Sequence, residues 1–215
     1  MFYPLCILTT TVALYLVDVI SPVLGMTIGL FTVLVYLGVF DIVPPFHRTI
    51  CPAFSAVMVF RRGSFAQLPD AFASVARHCP KKADGVGIYF DNPDEVKDPA
   101  WAAGFVVPAA EARAYAEAAH AAGVKGVQLY TVPNSAAFQT VVPWRHALTP
   151  MLQAGKVYRN LEAQVGKLTA PCLEFYDTDL SDQVLTMRTV YLLQNQDDIT
   201  TCFDFDAAVA ASKRR

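Results

Sequence analysis

No lysine or arginine occurs in the first 46 residues, and all 17 basic residues lie from Arg48 onward. The only charged side chains in that stretch are Asp18 and Asp41. From Val19 to Phe40, 22 consecutive residues carry no charge. As a helix they would rise roughly 33 Å, enough for a hydrocarbon core of about 30 Å. A run of this length and apolarity predicts a transmembrane helix near 19–40 rather than a core helix, and residues 1–46 read as a membrane anchor.

Phe2–Val17 is a second apolar run, about 24 Å long as a helix and so short of a full span. Asp18, Ser21, Pro22 and Gly25, between the runs, are turn formers. The anchor is therefore one span with an apolar extension, or a helical hairpin turning at Asp18–Gly25. A hairpin turn must reach a wet interface, because irregular backbone is costly in lipid. A cleaved signal peptide fits less well: the run has no basic leader and exceeds the usual length.

Arg48, Arg61 and Arg62 follow the anchor and nothing basic precedes it, which predicts a cytosolic domain. The five cysteines, Cys6, Cys51, Cys79, Cys172 and Cys202, are odd in number and scattered, as suits a reducing compartment. Residues 47–215 hold equal numbers of acidic and basic residues, 17 of each. A neutral domain without a basic stripe argues against nucleic acid as the main partner.

The domain, expected over 50–195 with a short tail at 196–215, contains a repeat. A strand at Phe54–Phe60 precedes a helix with Pro69 in its first turn. Strands follow at Val86–Phe90 and Gly104–Val107. The second half repeats this order with a strand at Ala136–Val142 and a helix from about Pro150 that Thr149 would cap. Its strands are Cys172–Tyr176 and Val184–Leu193. A helix near Ala110–Ala122, closed by Gly123, and a strand at Val127–Val132 lie between the halves. Gly85–Asp91 and Pro171–Asp177 align without a gap, which matches Ile88 to Glu174. A duplicated β-α-β-β unit predicts an α+β fold with a mostly antiparallel sheet and the helices on one face.

Phe60–Phe65 (FRRGSF) and Pro171–Asp177 (PCLEFYD) carry a resemblance to the GyrI-like fold, shared by gyrase-inhibitor-type proteins and the ligand-binding halves of multidrug-sensing regulators. Gly87–Val96 (GIYFDNPDEV), behind an N-terminal anchor, is similar to a segment of the testis-expressed ER-phagy receptor family. That resemblance implies an adaptor in the endoplasmic reticulum membrane, with protein partners in the autophagy or ER-membrane machinery. The receptors dock those partners through an aromatic-x-x-aliphatic motif in a long acidic tail. Here Phe203 and Phe205 lack an aliphatic residue three positions on, and Tyr158-Arg159-Asn160-Leu161 falls on a predicted core helix. Lys213-Arg214-Arg215 reads as a solvated terminus more readily than as an ER-retrieval signal.

The GyrI-like resemblance also implies a ligand cleft centred on Glu174. Strand alternation places Glu174 with Cys172 and Tyr176, and Leu173 with Phe175 on the other face. A carboxylate on an apolar face is desolvated, which raises its pKa. By resemblance Glu174 would be the counter-ion of a cationic aromatic compound, or a general base on water as in relatives that hydrolyse reactive electrophiles. Tyr176, Trp144 and Trp101 would line the cleft. The plain alternatives are a solvated or Arg-paired Glu174 and two core tryptophans. Enzymatic activity stays open at this level.

The histidines, His47, His78, His120 and His146, have no metal-ligand spacing, and no Cys-x-x-Cys occurs. No metal or cofactor is expected. No nucleophile elbow, P-loop or dinucleotide glycine pattern is present. Asp91-Asn92-Pro93 reads as a tight strand exit.

Overall fold

The structure is a computed structural model that describes residues 7, 9–13, 22–92, 95–146, 148–168, 171–178, 184–193 and 199–204. The Asp18–Ser21 part of the expected hairpin turn, Pro93, Asp179, Phe205 and Lys213–Arg215 lie outside the described residues.

Helix α1 spans Pro22–Tyr36, and its 15 residues extend about 22 Å. Among the described residues no helix is long and apolar enough to cross a membrane, so the expected span near 19–40 is not seen as one helix. The helix ends early for a local reason. Gly38 adopts φ 73°. Its N–H donates to the Val35 carbonyl, and the Val39 N–H donates to the Leu34 carbonyl. This glycine-closed pair of bonds is a Schellman cap, which stops a helix.

Among the described residues nine strands follow: β1 His47–Cys51, β2 Phe54–Arg62, β3 Gly85–Tyr89, β4 Ala100–Val107, β5 Val127–Val132, β6 Ser135–Pro143, β7 Cys172–Thr178, β8 Val184–Leu192 and β9 Thr200–Asp204. Helices α2 (Leu68–Ala76), α3 (Ala112–Ala121) and α4 (Thr149–Val165) lie between them. The sheet order is β1-β6-β8-β7-β3-β4-β2-β5-β9, and every pairing is antiparallel. The expected β-α-β-β repeat is present as β2-α2-β3-β4 and β6-α4-β7-β8, and the halves meet where β3 pairs with β7. Strands β1 and β9 were not foreseen. Residues Thr200–Asp204, assigned to the tail by sequence, pair with β5 as an edge strand.

The two connections Pro52–Ala53 and Pro133–Asn134 each join strands at opposite ends of the sheet order. Two residues bridge about 10 Å at most, so the sheet curls until its ends approach. Phe54 of β2 and Phe175 of β7 accordingly touch edge to face at 5.2 Å across the concave side. That side holds Met58, Val86, Ile88, Ala102, Leu173 and Val190, all fully buried. The helices cover the opposite face, α2 and α3 over Val57, Val59 and Trp101, and α4 over Val142, Met187 and Tyr191.

Thr149 is the first residue of α4 rather than its cap. Its hydroxyl accepts from the Arg145 and His146 N–H groups behind it. Residues 37–46, a turn at 37–40 followed by an irregular stretch, then run along α4 as a strap. Gln153 Nε2 donates to the Gly38 carbonyl at 2.9 Å, and Lys156 Nζ to the Val39 and Asp41 carbonyls at 2.6 and 3.0 Å. Asn160 reaches the Val43 carbonyl and Gln164 the Phe46 carbonyl. Val43 and Phe46 are buried in the core beneath the strap. Arg145 locks the strap through a two-pronged ion pair with Asp41, at 2.6 and 2.9 Å.

Candidate functional site

Glu174 lies on β7, at the seam between the two halves, and faces α4. Only 4% of its surface is exposed. Tyr158 of α4 donates its hydroxyl to Oε1, and Tyr176 donates its own to Oε2, each at 2.9 Å. Tyr89 lies 3.2 Å from the Tyr176 hydroxyl. Tyr176 has one proton and gives it to Glu174, so Tyr89 is the donor in that bond. Three phenols thus surround one carboxylate. No lysine or arginine pairs with Glu174 among the described residues.

Strand register explains the gathering. Gly87 pairs with Glu174 across the β3–β7 seam, and Tyr89 with Cys172. A Cβ on Gly87 would lie 3.1 Å from the Tyr89 hydroxyl, so glycine gives that ring room to lie toward the carboxylate. The gap-free alignment that matched Ile88 to Glu174 is one residue out of step. Ile88 faces the concave side with Leu173 and Phe175. Gly87-Ile88-Tyr89 is the true counterpart of Glu174-Phe175-Tyr176, because a one-residue slip moves every side chain to the opposite face. The alternation expected within β7 itself holds: Cys172 and Tyr176 pack under the helices and Leu173 and Phe175 pack beneath the sheet.

Burial raises the Glu174 carboxyl above the ordinary carboxylate value, and the surrounding hydroxyls of Tyr176, Tyr158 and Tyr89 pull it back down in part. Burial, and then the Glu174 charge, push Tyr158 and Tyr176 well above the usual phenol value, and the same causes act on Tyr89. Burial with a further contribution from Glu174 lifts the Cys172 thiol to about 12, so Cys172 stays an unreactive thiol. Thr189 stands opposite Glu174 on β8, fully buried, and its hydroxyl has no partner among the described residues.

The residues expected in the cleft divide. Trp144 packs edge to face on Tyr176 at 5.8 Å and belongs to the site. Trp101 does not touch Glu174. It is fully buried under α2, donates its indole N–H to the Gly63 carbonyl at 3.1 Å, and stands opposite Tyr89 in the β3–β4 register, with Phe65 packed against both rings. Tyr89, Tyr158 and Thr189 were missed. Tyr158 carried a signal, since its spacing on α4 places it over β7. Tyr89 would have emerged from the shifted repeat alignment. The Tyr158-Arg159-Asn160-Leu161 motif is unavailable for docking: Tyr158 is bonded to Glu174 and Leu161 is fully buried. Asp91 stands at the strand exit, with Oδ2 accepting the Ala100 N–H at 2.8 Å. Among the described residues no cluster of metal-ligating side chains occurs.

A carboxylate with both oxygens bonded to phenols can balance a cation through its remaining lone pairs.

No family model matches the sequence, and no curated protein matches it. Among solved structures, the C-terminal domain of EcmrR is 8% identical, with a TM-score of 0.44, covering 68% of this chain and 96% of that one. An integron cassette protein from the mobile metagenome of Vibrio cholerae is 9% identical, with a TM-score of 0.48, covering 70% and 96%. SAV2435 bound to tetraphenylphosphonium is 10% identical, with a TM-score of 0.42, covering 69% and 93%.

Proposed function

We propose that the folded region is a GyrI-like small-molecule-binding module that takes a lipophilic cation at Glu174. The carrying observation is a buried carboxylate with no basic partner among the described residues, enclosed by aromatic side chains. A buried negative charge of this kind favours a cationic occupant, and aromatic faces add cation–π attraction. Tyr176 and Trp144 supply the faces beside Glu174. The unpartnered Thr189 hydroxyl offers a further polar contact. Tyr158, on α4, is the group that yields when the ligand enters.

Titration with tetraphenylphosphonium tests this reading, followed by calorimetry and tyrosine fluorescence. Saturable binding that weakens about a hundredfold in Glu174→Gln is expected, since a charge pair in a dry site is worth about 3 kcal/mol. Equal binding by the parent and Glu174→Gln would sink it, and the domain would then be better regarded as a scaffold for protein partners.

The second element of the proposal is membrane attachment through α1. The helix has no charged side chain, and its surface is open on most sides: Val23 is 74% exposed, Met26 76% and Leu30 61%. Its two threonine hydroxyls are satisfied within the helix, Thr27 to the Val23 carbonyl and Thr32 to the Ile28 carbonyl, and Tyr36 at its C-terminal end stacks on His146. An uncharged helix whose threonine hydroxyls bond to its own backbone suits hydrocarbon. The basic residues that follow it favour a cytosolic domain. Flotation with liposomes should carry the full chain and leave behind a chain lacking residues 1–36. An engineered glycosylation site at Val96–Asp98 should remain unmodified in microsomes.

A further inference from the structure

The concave face of the sheet, opposite Glu174, carries a pocket of about 360 Å³ at the open ends of β3, β4, β2 and β5. This volume lies within the range of small-molecule sites. Its walls are Phe60, Phe90 and Tyr130, whose rings form a run with centroid spacings of 6.2 and 6.1 Å. The space exists because β4 presents Ala100, a small side chain, between larger neighbours. Arg62 and Asp91 stand at the rim. They carry opposite charges, and neither has an ion-pair partner among the described residues. Asp91 is held in place by the Ala100 N–H on one oxygen, which leaves the other oxygen's lone pairs for a ligand.

We infer that this pocket is a second small-molecule site, for a flat aromatic zwitterion the size of an aromatic α-amino acid. The ring lies among Phe60, Phe90 and Tyr130. The ammonium faces Asp91 and the carboxylate faces Arg62. A singly charged ligand would satisfy one rim charge and desolvate the other, so both ligand charges are required. The site is independent of Glu174, which lies across the sheet.

The test is titration of the full chain with L-tryptophan, tryptamine and indole-3-propionate, followed by chemical-shift mapping. L-tryptophan should bind about tenfold more tightly than either singly charged analogue, with shifts confined to the pocket. Asp91→Asn keeps the acceptor for Ala100 and should lower L-tryptophan to the level of indole-3-propionate. Arg62→Gln should lower it to the level of tryptamine. Ala100→Leu should fill the pocket and abolish binding, while Glu174→Gln leaves it unchanged. The inference is overturned by no saturable binding of L-tryptophan at millimolar concentration, by affinity equal to the analogues, or by unchanged affinity in a folded Ala100→Leu protein.

Discussion

The two halves of the molecule share a frame and differ in chemistry. In the first, β3 presents Gly87 and Tyr89 to the helix face under α2, a helix of 9 residues. In the second, β7 presents Glu174 and Tyr176 under α4, which has 17 residues. The extra turns of α4 carry Tyr158, which reaches Glu174, and Gln153 and Lys156, which hold the strap. The first half supplies an empty Cβ position and one phenol; the second supplies the acid and its two donors. The halves share an order of elements, and differences at a few positions set a carboxylate among phenols at their seam.

The strap separates the halves most sharply, because α2 has no counterpart to it. A chain beginning at His47 should be less stable than one beginning at Gly38 by about 4 kcal/mol. It loses the burial of Val43 and Phe46 and frees the polar row on α4. Urea midpoints of the two chains measure this. Equal midpoints would show that the second half needs the strap no more than the first.

The Glu174–Gly87 asymmetry has a smaller effect with a distinctive pH signature. Burial raises the folded carboxyl above its unfolded value. The folded state therefore binds the proton more tightly, and stability falls as pH rises from the ordinary carboxylate value through the folded one. Glu174→Gln removes this loss. At neutral pH it should be more stable than the parent by about 1 kcal/mol, and the gap should close as pH falls toward the ordinary carboxylate range. A gap that does not change with pH would mean that the phenols fully offset burial.

The Asp41–Arg145 pair is expected to matter least. The side chains are 26% and 43% exposed, so solvent screens much of the attraction. Asp41→Asn should cost about 0.5 kcal/mol, and less in high salt. A salt-independent loss several times larger would make the pair, rather than the buried apolar groups, the main clasp of the strap.

The sequence was readable where a repeating pattern met one face of the sheet. Alternation in Cys172–Tyr176 assigned each side chain to its observed face, and helical spacing located α4 to within a residue or two of its ends. It was unreadable where partners are distant in sequence. His47–Cys51 has too few apolar residues to announce a strand; its place comes from pairing with β6. Gln153, Lys156, Asn160 and Gln164 look like a solvated helix face, yet they meet the strap's carbonyls. Trp101 and Trp144 look alike as cleft candidates, and only packing put one beside Tyr176 and the other beneath α2.

By itself the sequence determined the charge-free N-terminal segment, the duplicated β-α-β-β order and the polar exception at Glu174. These depend on the chemistry of neighbouring residues and on periods of two and 3.6. Tertiary structure decided the rest. It closed α1 at Gly38, laid residues 37–46 along α4, set Gly87 rather than Ile88 opposite Glu174, and brought Tyr89 and Tyr158 to one carboxylate. Those outcomes follow from strand register and from the hydrogen-bonding needs of buried groups, which are met by whichever partner the fold brings near.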